Sequence, residues 1–301
     1  MALKVGNTID IVTESRKAIT VWEKLIADDD GIISGTRSYV MVEALNEGDI
    51  CQVFKATGPN AETVVAKVCR HEADNDLVEN EARIIPKLNP TEAKEEAFFR
   101  YIPKLVESVP WEGLQVNIIT YFEGWVSLAD ILKAYPAGID FKDAAWMFKR
   151  TLAGVGYAHT KNIVHGAVLP PHVLVHPIQH GAKILDWSYA VENGERHISA
   201  MSTDYAAYYP PEVGAKEIPT SATDIFMIAK CMVALLGGNV TTNAMPDAVP
   251  KALQSYLLDS LQEPYRMRPK DAWDLHGSFD ELLKIIVGKS KYRPFAMPVT
   301  T

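Results

Sequence analysis

His172, His176 and His180 recur at every fourth residue, a spacing that on a helix would stack three imidazoles on one face as a metal site. The residues between them work against that geometry. Val173-Leu174-Val175 has the composition of a strand and Pro177 breaks any helix, so the rings do not share a face and no metal site is expected from them. Asp28-Asp29-Asp30-Gly31 lacks the alternating ligands of a calcium loop and reads as a solvated segment end. Cys51, Cys69 and Cys231 are odd in number, widely spaced and without a C-x-x-C pair, which fits a reducing cytoplasm better than a zinc or disulfide framework. The richest remaining stretch is Ile163–Ser188, IVHGAVLPPHVLVHPIQHGAKILDWS, where His165, His172 and Asp186 sit in an otherwise apolar run.

These side chains need a scaffold, and 301 residues with 48% hydrophobic content are ample for a sizeable core. The 38 acidic residues outnumber the 30 basic ones for a formal charge of −8, which argues against nucleic acid or an anionic membrane as the obligate partner. The N-terminus lacks the pattern of a signal peptide, and the apolar stretch from Ile225 to Leu236 is interrupted by Lys230 and too short to span a bilayer.

Residues 1–38 read as an N-terminal helical extension, because Ile11, Ala18, Val21, Trp22, Leu25 and Ile26 fall at helical spacing within Thr8–Ala27. Residues 39–123 then carry three short β-type runs, Tyr39–Leu45, Ile50–Ala56 and Thr63–Cys69, separated by turn residues. A helix over Leu77–Leu88 and strands over Tyr101–Val109 and Leu114–Tyr121 complete this part. Residues 124–288 turn helical, with segments Ser127–Ala134, Phe141–Lys161, Ala222–Gly237, Lys251–Leu261 and Lys270–Val287. Residues 289–301, basic and containing Pro294 and Pro298, read as a loosely ordered tail.

This order of elements, with its motifs, resembles the protein kinase family over roughly residues 39–287. Gly48 and Val53 match a glycine-rich loop in which Asn46 and Cys51 replace two of the glycines. Val64-Val65-Ala66-Lys67 is similar to the strand carrying the nucleotide-binding lysine, and Glu81 to the glutamate that pairs with it, with Glu79 the alternative partner. Ile118–Gly124 resembles the segment against which adenine lies, with Ile119 as approximate gatekeeper and Tyr121 beyond it. The His165–His172 run stands where H-R-D-L-K-P-x-N would be, and Asp186-Trp187-Ser188 where D-F-G would be. Glu212, Asp224 and Arg268 match the structural anchors of the larger lobe: the end of the activation segment, the aspartate under the catalytic loop and the arginine that pairs with Glu212. The resemblance therefore implies an α+β, two-lobed protein-kinase-like fold, with a small β-rich N-lobe and a larger, mainly helical C-lobe.

The departures from the family fall on the chemistry. Ala167 replaces the general base, Leu169 the lysine that faces the transferred phosphate, and His172 the asparagine that holds a second magnesium. Gly166 replaces the arginine that reads activation-segment phosphorylation, and His165 is expected to brace the backbone near Asp186. Asp186 remains as the expected magnesium ligand. Conventional kinase activity is not expected of such a chain. The resemblance implies a pseudokinase that binds a protein partner, with ATP or ADP and magnesium or manganese as the ligands a residual site would take. Two alternatives stay open: nucleotidyl transfer with His172 as substitute base, and a scaffold whose nucleotide cleft is filled by side chains. The general look is that of a bacterial or phage-encoded member.

Overall fold

The computed structural model describes residues 4–15, 24–27, 33–192, 194–289 and 291–297. The chain forms two compact units, Met1–Pro86 with Lys104–Glu123, and Lys87–Pro103 with Gly124–Thr301. Residues 87–103, expected with the first, belong to the second.

The smaller unit is an antiparallel sheet with one helix. Strands β1 (Thr8–Ser15), β2 (Lys24–Ala27), β3 (Ile33–Glu47), β4 (Cys51–Thr57) and β5 (Thr63–Cys69) precede helix α1 (Asn75–Lys87). Strands β6 (Leu105–Trp111) and β7 (Leu114–Thr120) follow, giving the order β1-β3-β4-β5-β7-β6 with β2 also paired to β3. The turn between β6 and β7 holds just Glu112 and Gly113, both at positive φ, the backbone that lets a two-residue hairpin follow the sheet twist. Ile9, Met41, Ala56, Ala66, Val116 and Ile118 form the centre of the core on one face.

The expected helix over Thr8–Ala27 is a correction. Its described residues are strands: β1 pairs with β3 from Thr8↔Val40 to Ser15↔Ile33, and β2 pairs with the same strand from Lys24↔Thr36. The physical reason is visible in Thr8, Ile9, Ile11, Val12 and Thr13, β-branched residues for which a long partner strand outweighs helical spacing of apolar residues. Ile9 is fully buried in the sheet core, so this segment is part of the unit and not an appendage. Asp28-Asp29-Asp30 and residues 16–23 lie outside the described residues.

The larger unit is mainly helical. It contains α2 (Glu96–Phe99), β8 (Val126–Ser127), α3 (Leu128–Ala134), α4 (Phe141–Thr160), β9 (Ile163–Val164), β10 (Val173–Val175) and β11 (Ala182–Ile184). After these come β12 (Val191–Glu192), α5 (Pro211–Gly214), α6 (Ser221–Leu235), α7 (Lys251–Ser260) and α8 (Ala272–Val287). Ser127 and Asp130 form a reciprocal capping box at the start of α3, and Asp140 caps α4. Helix α4 is the central pillar. A Cβ at Gly154 would stand 2.8 Å from Ile184 Cγ1, so the glycine is what lets β11 lie against the helix. Helix α6 is buried almost all round, from Ala222 to Leu235.

The C-terminal segment is a second correction. Residues 291–297, expected to be loosely ordered, are docked on the larger unit. Phe295 is buried against Tyr135, and its N–H donates to Pro177 O at 3.0 Å. Arg293 reaches Asp143 with both Nε (3.0 Å) and a terminal nitrogen (2.6 Å), and Tyr292 donates to Ile178 O. One buried aromatic outweighs the entropy that Pro and Lys composition suggests. Phe295→Ala is expected to cost about 3 kcal/mol, whereas Arg293→Ala, at a half-exposed pair, should cost under about 1 kcal/mol. Urea unfolding of both variants checks this, and the reverse ranking would mean that charge, not burial, holds the segment.

Candidate functional site

In the smaller unit β5 alternates Val64, Ala66 and Val68 into the core, and Lys67 is nevertheless only 6% exposed. Its ammonium lies 2.7 Å from Glu81 Oε1, on α1. Glu81 is fully buried among Leu77, Val78, Ile84 and Ile85, whereas Glu79 is exposed on another face of the helix. The second carboxylate oxygen accepts from Asn117 Nδ2 at 3.0 Å, and the same amide donates to Val78 O. Ser108 Oγ donates to Asn117 Oδ1 at 2.6 Å and accepts from Gln115 Nε2 at 2.8 Å. A buried ion pair is tolerable only when its remaining lone pairs are satisfied, and this network does that. Sequence reasoning missed Asn117. Its one signal is register, since it stands opposite Lys67 in the β5–β7 ladder.

The turn between β3 and β4 shows why the loop needs few glycines. A Cβ at Gly48 would meet Cys51 O at an ordinary 3.4 Å, so no glycine is required there. Cys51 is buried with Cys69 and Val78, and Val53 packs beside them, so a core side chain fills the place of the third glycine. Ile119 is buried in β7 opposite Val65, and Tyr121, just beyond the strand, carries the Lys55 ammonium 4.6 Å from its ring centre.

In the larger unit the loop after β9 is organised by Asp224 on α6. This fully buried carboxylate accepts the His165 N–H at Oδ2 and the Gly166 N–H at Oδ1, both at 2.8 Å, with His159 Nε2 also 2.8 Å from Oδ2. His165 donates from Nε2 to Leu185 O at 2.9 Å and accepts the Ala167 N–H at Nδ1. It thus ties the loop to the residue before Asp186. Burial pushes its imidazole down to about 4, against the pull of Asp224 in the opposite direction and with a smaller push from His172. Ala167 and Leu169 are both fully buried, and neither offers a proton acceptor or a charge on its side chain.

His172 and Asp186 are brought together. His172 Nε2 lies 3.1 Å from Asp186 Oδ2, and its Nδ1 lies 2.8 Å from Ala167 O. Asp186 Oδ1 accepts from Ser188 Oγ at 2.8 Å. Asp186 holds a left-handed backbone, φ 61° and ψ 67°, which an aspartate accepts more readily than most residues. Trp187 is fully buried, donates from Nε1 to Ile184 O and meets the His165 ring edge-on at 4.5 Å. The other two histidines go elsewhere. His176 meets the edge of Trp125 and His180 stacks flat on Trp146.

These contacts bear on two expectations about His172 and Asp186. His172 Nδ1 bonds the Ala167 carbonyl, and Nε2 faces the Asp186 carboxylate. Magnesium prefers near-octahedral oxygen ligands. Here Asp186 is engaged at both oxygens, its partner is an imidazole, and no cluster of three His, Cys, Asp or Glu suited to a metal occurs among the described residues. Of the two residues Asp186 alone offers magnesium an oxygen ligand, and the imidazole of His172 stands at its Oδ2.

Gly166, at φ 78°, leaves the space that Ile198 occupies: a Cβ there would stand 3.0 Å from Tyr189 O and 3.1 Å from Ile198. Farther along, Glu212 and Arg268 form a buried two-pronged pair at 2.6 and 3.0 Å, with Thr223 Oγ1 donating to Glu212 at 3.0 Å. Arg268 also donates to Glu263 O and lies 4.6 Å from the Phe226 ring centre.

With this geometry in place, the match to known proteins is informative. The chain matches the protein kinase domain family over residues 39–289. It belongs to that family. Its α+β architecture, a curled-sheet unit and a helical unit, is the two-lobed kinase fold. It is 25% identical over 241 residues to the serine/threonine-protein kinase pakF of Dictyostelium discoideum, covering 78% of this chain and 19% of that protein. It is 29% identical over 120 residues to cyclin-dependent kinase-like 2 of Rattus norvegicus, covering 37% and 22% respectively. A third relative is the probable serine/threonine-protein kinase MRK1 homolog of Encephalitozoon cuniculi, 31% identical over 102 residues, 33% of this chain and 30% of that one. The matches thus span about a fifth to a third of the relatives' lengths.

Two outcomes follow from the anchors of this kinase domain. Arg268→Ala leaves a buried carboxylate without its partner and should cost about 3–5 kcal/mol in urea unfolding; a cost below that of Arg293→Ala would remove the pair from the list of anchors. His165 gives a pH signature. Its folded value lies below its unfolded value of 6.5, so between about pH 6.5 and about 4 the unfolded chain takes up a proton that the folded chain refuses. Its neutral-ring contribution, about 3 kcal/mol, is complete above that window and lost as pH falls through it. Stability measured across the window should be steeper for the native protein than for His165→Asn.

Proposed function

We propose that the protein is a pseudokinase, a cytoplasmic regulatory module that holds an adenine nucleotide without transferring its phosphate and acts by binding a partner protein. The observation that carries this reading is Ala167. It is buried at the position of the general base, its N–H is held by His165 and its carbonyl by His172, so no acceptor is available to take a proton from a hydroxyl nucleophile. A positioned base contributes about 10²–10⁴-fold. The loss of charge at Leu169 adds to that deficit, because phosphoryl transfer works by positioning and charge neutralisation.

Nucleotide binding is supported by the opposite pattern in the smaller unit. Lys67 and Glu81 are kept, buried and braced by Asn117, which is costly to maintain without a use for the ammonium. Nucleotidyl transfer is the weaker reading, since its candidate base His172 is engaged at both nitrogens. The relatives named above are called serine/threonine kinases, and for this chain that activity is not proposed.

The test is thermal melting with ATP and ADP, together with transfer from radiolabelled ATP. Nucleotide at about ten times its Kd should add about 1.4 kcal/mol, a rise of roughly 2 °C, and Lys67→Ala should abolish the rise. Label transfer by the native protein to itself or to a protein substrate would overturn the pseudokinase reading. A flat melting temperature would favour a scaffold with an occluded nucleotide site.

A further inference from the structure

Cys51 and Cys69 stand opposite each other in the β4–β5 ladder. The kind of pairing decides how near their side chains come. In an antiparallel ladder, pairs that exchange backbone hydrogen bonds alternate with pairs that do not, and side chains are closer in the second kind. The Arg70 N–H donates to Ile50 O at 2.9 Å, so the hydrogen-bonded pair is the one a step further along, Ile50 with Arg70. Cys51 and Cys69 are therefore a non-hydrogen-bonded pair. The Cys51 carbonyl accordingly points away from Cys69 and accepts the Gly48 N–H at 3.0 Å. A pair of this kind sets its Cα atoms about 4.5 Å apart, within the roughly 4.4–6.8 Å that a disulfide spans. Both side chains pack in one cluster with Val78 of α1, and both are thiols.

We propose that Cys51 and Cys69 are an oxidation site for a peroxide, which joins them in a cross-strand disulfide when the turn over Gly48–Ile50 opens. One sulfur attacks a peroxide oxygen: an S–O bond forms, the O–O bond breaks, and the second oxygen leaves as water with the thiol proton. The other sulfur then attacks the first. The S–S bond forms, the S–O bond breaks, and a second water leaves with the second proton, so the two thiols have given two electrons to one peroxide. The resting state is the dithiol, since burial pushes the Cys69 thiol pKa up and the thiolate is the reactive form. Access, not geometry, sets the rate, because Cys51 and Cys69 are 3% and 1% exposed. Cys51 directly follows the turn, which is tied down by its bond to Gly48 N–H and by exposed Arg70, whose Nη1 donates to Gly48 O at 3.0 Å. Opening there uncovers Cys51 while the rest of the sheet stays folded. Lys67 lies two residues before Cys69 on the same strand face, so the link fixes β4 against β5 beside the buried ammonium. The inference stands apart from the nucleotide reading.

The experiment treats the full chain with hydrogen peroxide, alkylates the remaining thiols in denaturant, and reads the tryptic digest by mass spectrometry. All three cysteines should be alkylated before oxidation and Cys231 alone after it, with the peptide Ser38–Lys55 linked to Val68–Arg70. Dithiothreitol should restore both thiols. Three unreacted thiols, sulfinic acid on either cysteine, a link to Cys231, or a link between chains in place of this one overturns the proposal. The oxidised protein should keep a cooperative thermal melt; loss of the melt would mean that the link forms in the unfolded chain, and overturns it equally. Arg70→Ala supplies the second arm. With one exposed hydrogen bond removed from the turn, linkage should run about threefold faster, and a rate equal to or below the native one overturns the turn as the route of access.

Discussion

The buried carboxylate of Asp224 is the fixed point of the larger unit. Two consecutive backbone N–H groups end on its two oxygens, and this sets the path of the chain through His165 and Gly166. From there the dependence runs outward. The His165 ring, positioned by its own backbone, bonds the carbonyl of Leu185 and so sets the strand end that delivers Asp186. The next carbonyl, that of Ala167, holds His172, which in turn holds Asp186 from its other side. The loop through Ala167 is therefore held at its backbone from both sides. Buried carboxylates accepting backbone amides are expensive to remove, because the amides would be left without partners in an interior that offers no water.

The same cost applies to the other buried charges. Glu212 and Arg268, Lys67 and Glu81, and Asp224 with its amides are all arrangements in which loss of one member strands the other inside the protein. Ala167 and Leu169, by contrast, are fully buried apolar side chains, and burying them leaves no polar side-chain group of their own without a partner. The physical chemistry of burial thus marks the residues whose loss the architecture cannot absorb.

Much of this was legible in the sequence. Helices α4, α6, α7 and α8 carry caps or long apolar faces and lie within two residues of their expected ends. Lys67 and Glu81 could be paired because motif and periodicity pointed to the same faces. What escaped has a common cause, dependence on partners distant in the chain. Strand β1 exists because β3 is long enough to pair with it, and nothing between Thr8 and Ser15 announces that partner. Phe295 is held by a site built from Tyr135 and Pro177, more than a hundred residues earlier. Asn117 acquires its role through cross-strand register. His172 read as a poor metal ligand, and its place 3.1 Å from the Asp186 carboxylate emerges only when the loop closes on itself.

The contact between Gly166 and Ile198 bears on how such a protein can be controlled. An arginine at that place would hold the segment after β12 through charge, a grip that phosphate strengthens and salt weakens. Here the grip is the fit of a branched aliphatic side chain into the room left by a missing one. Dispersion and desolvation change little with ionic strength and have no covalent on-switch in the cell. This contact therefore depends on shape: widening either side chain, and not adding or screening charge, is what would part it.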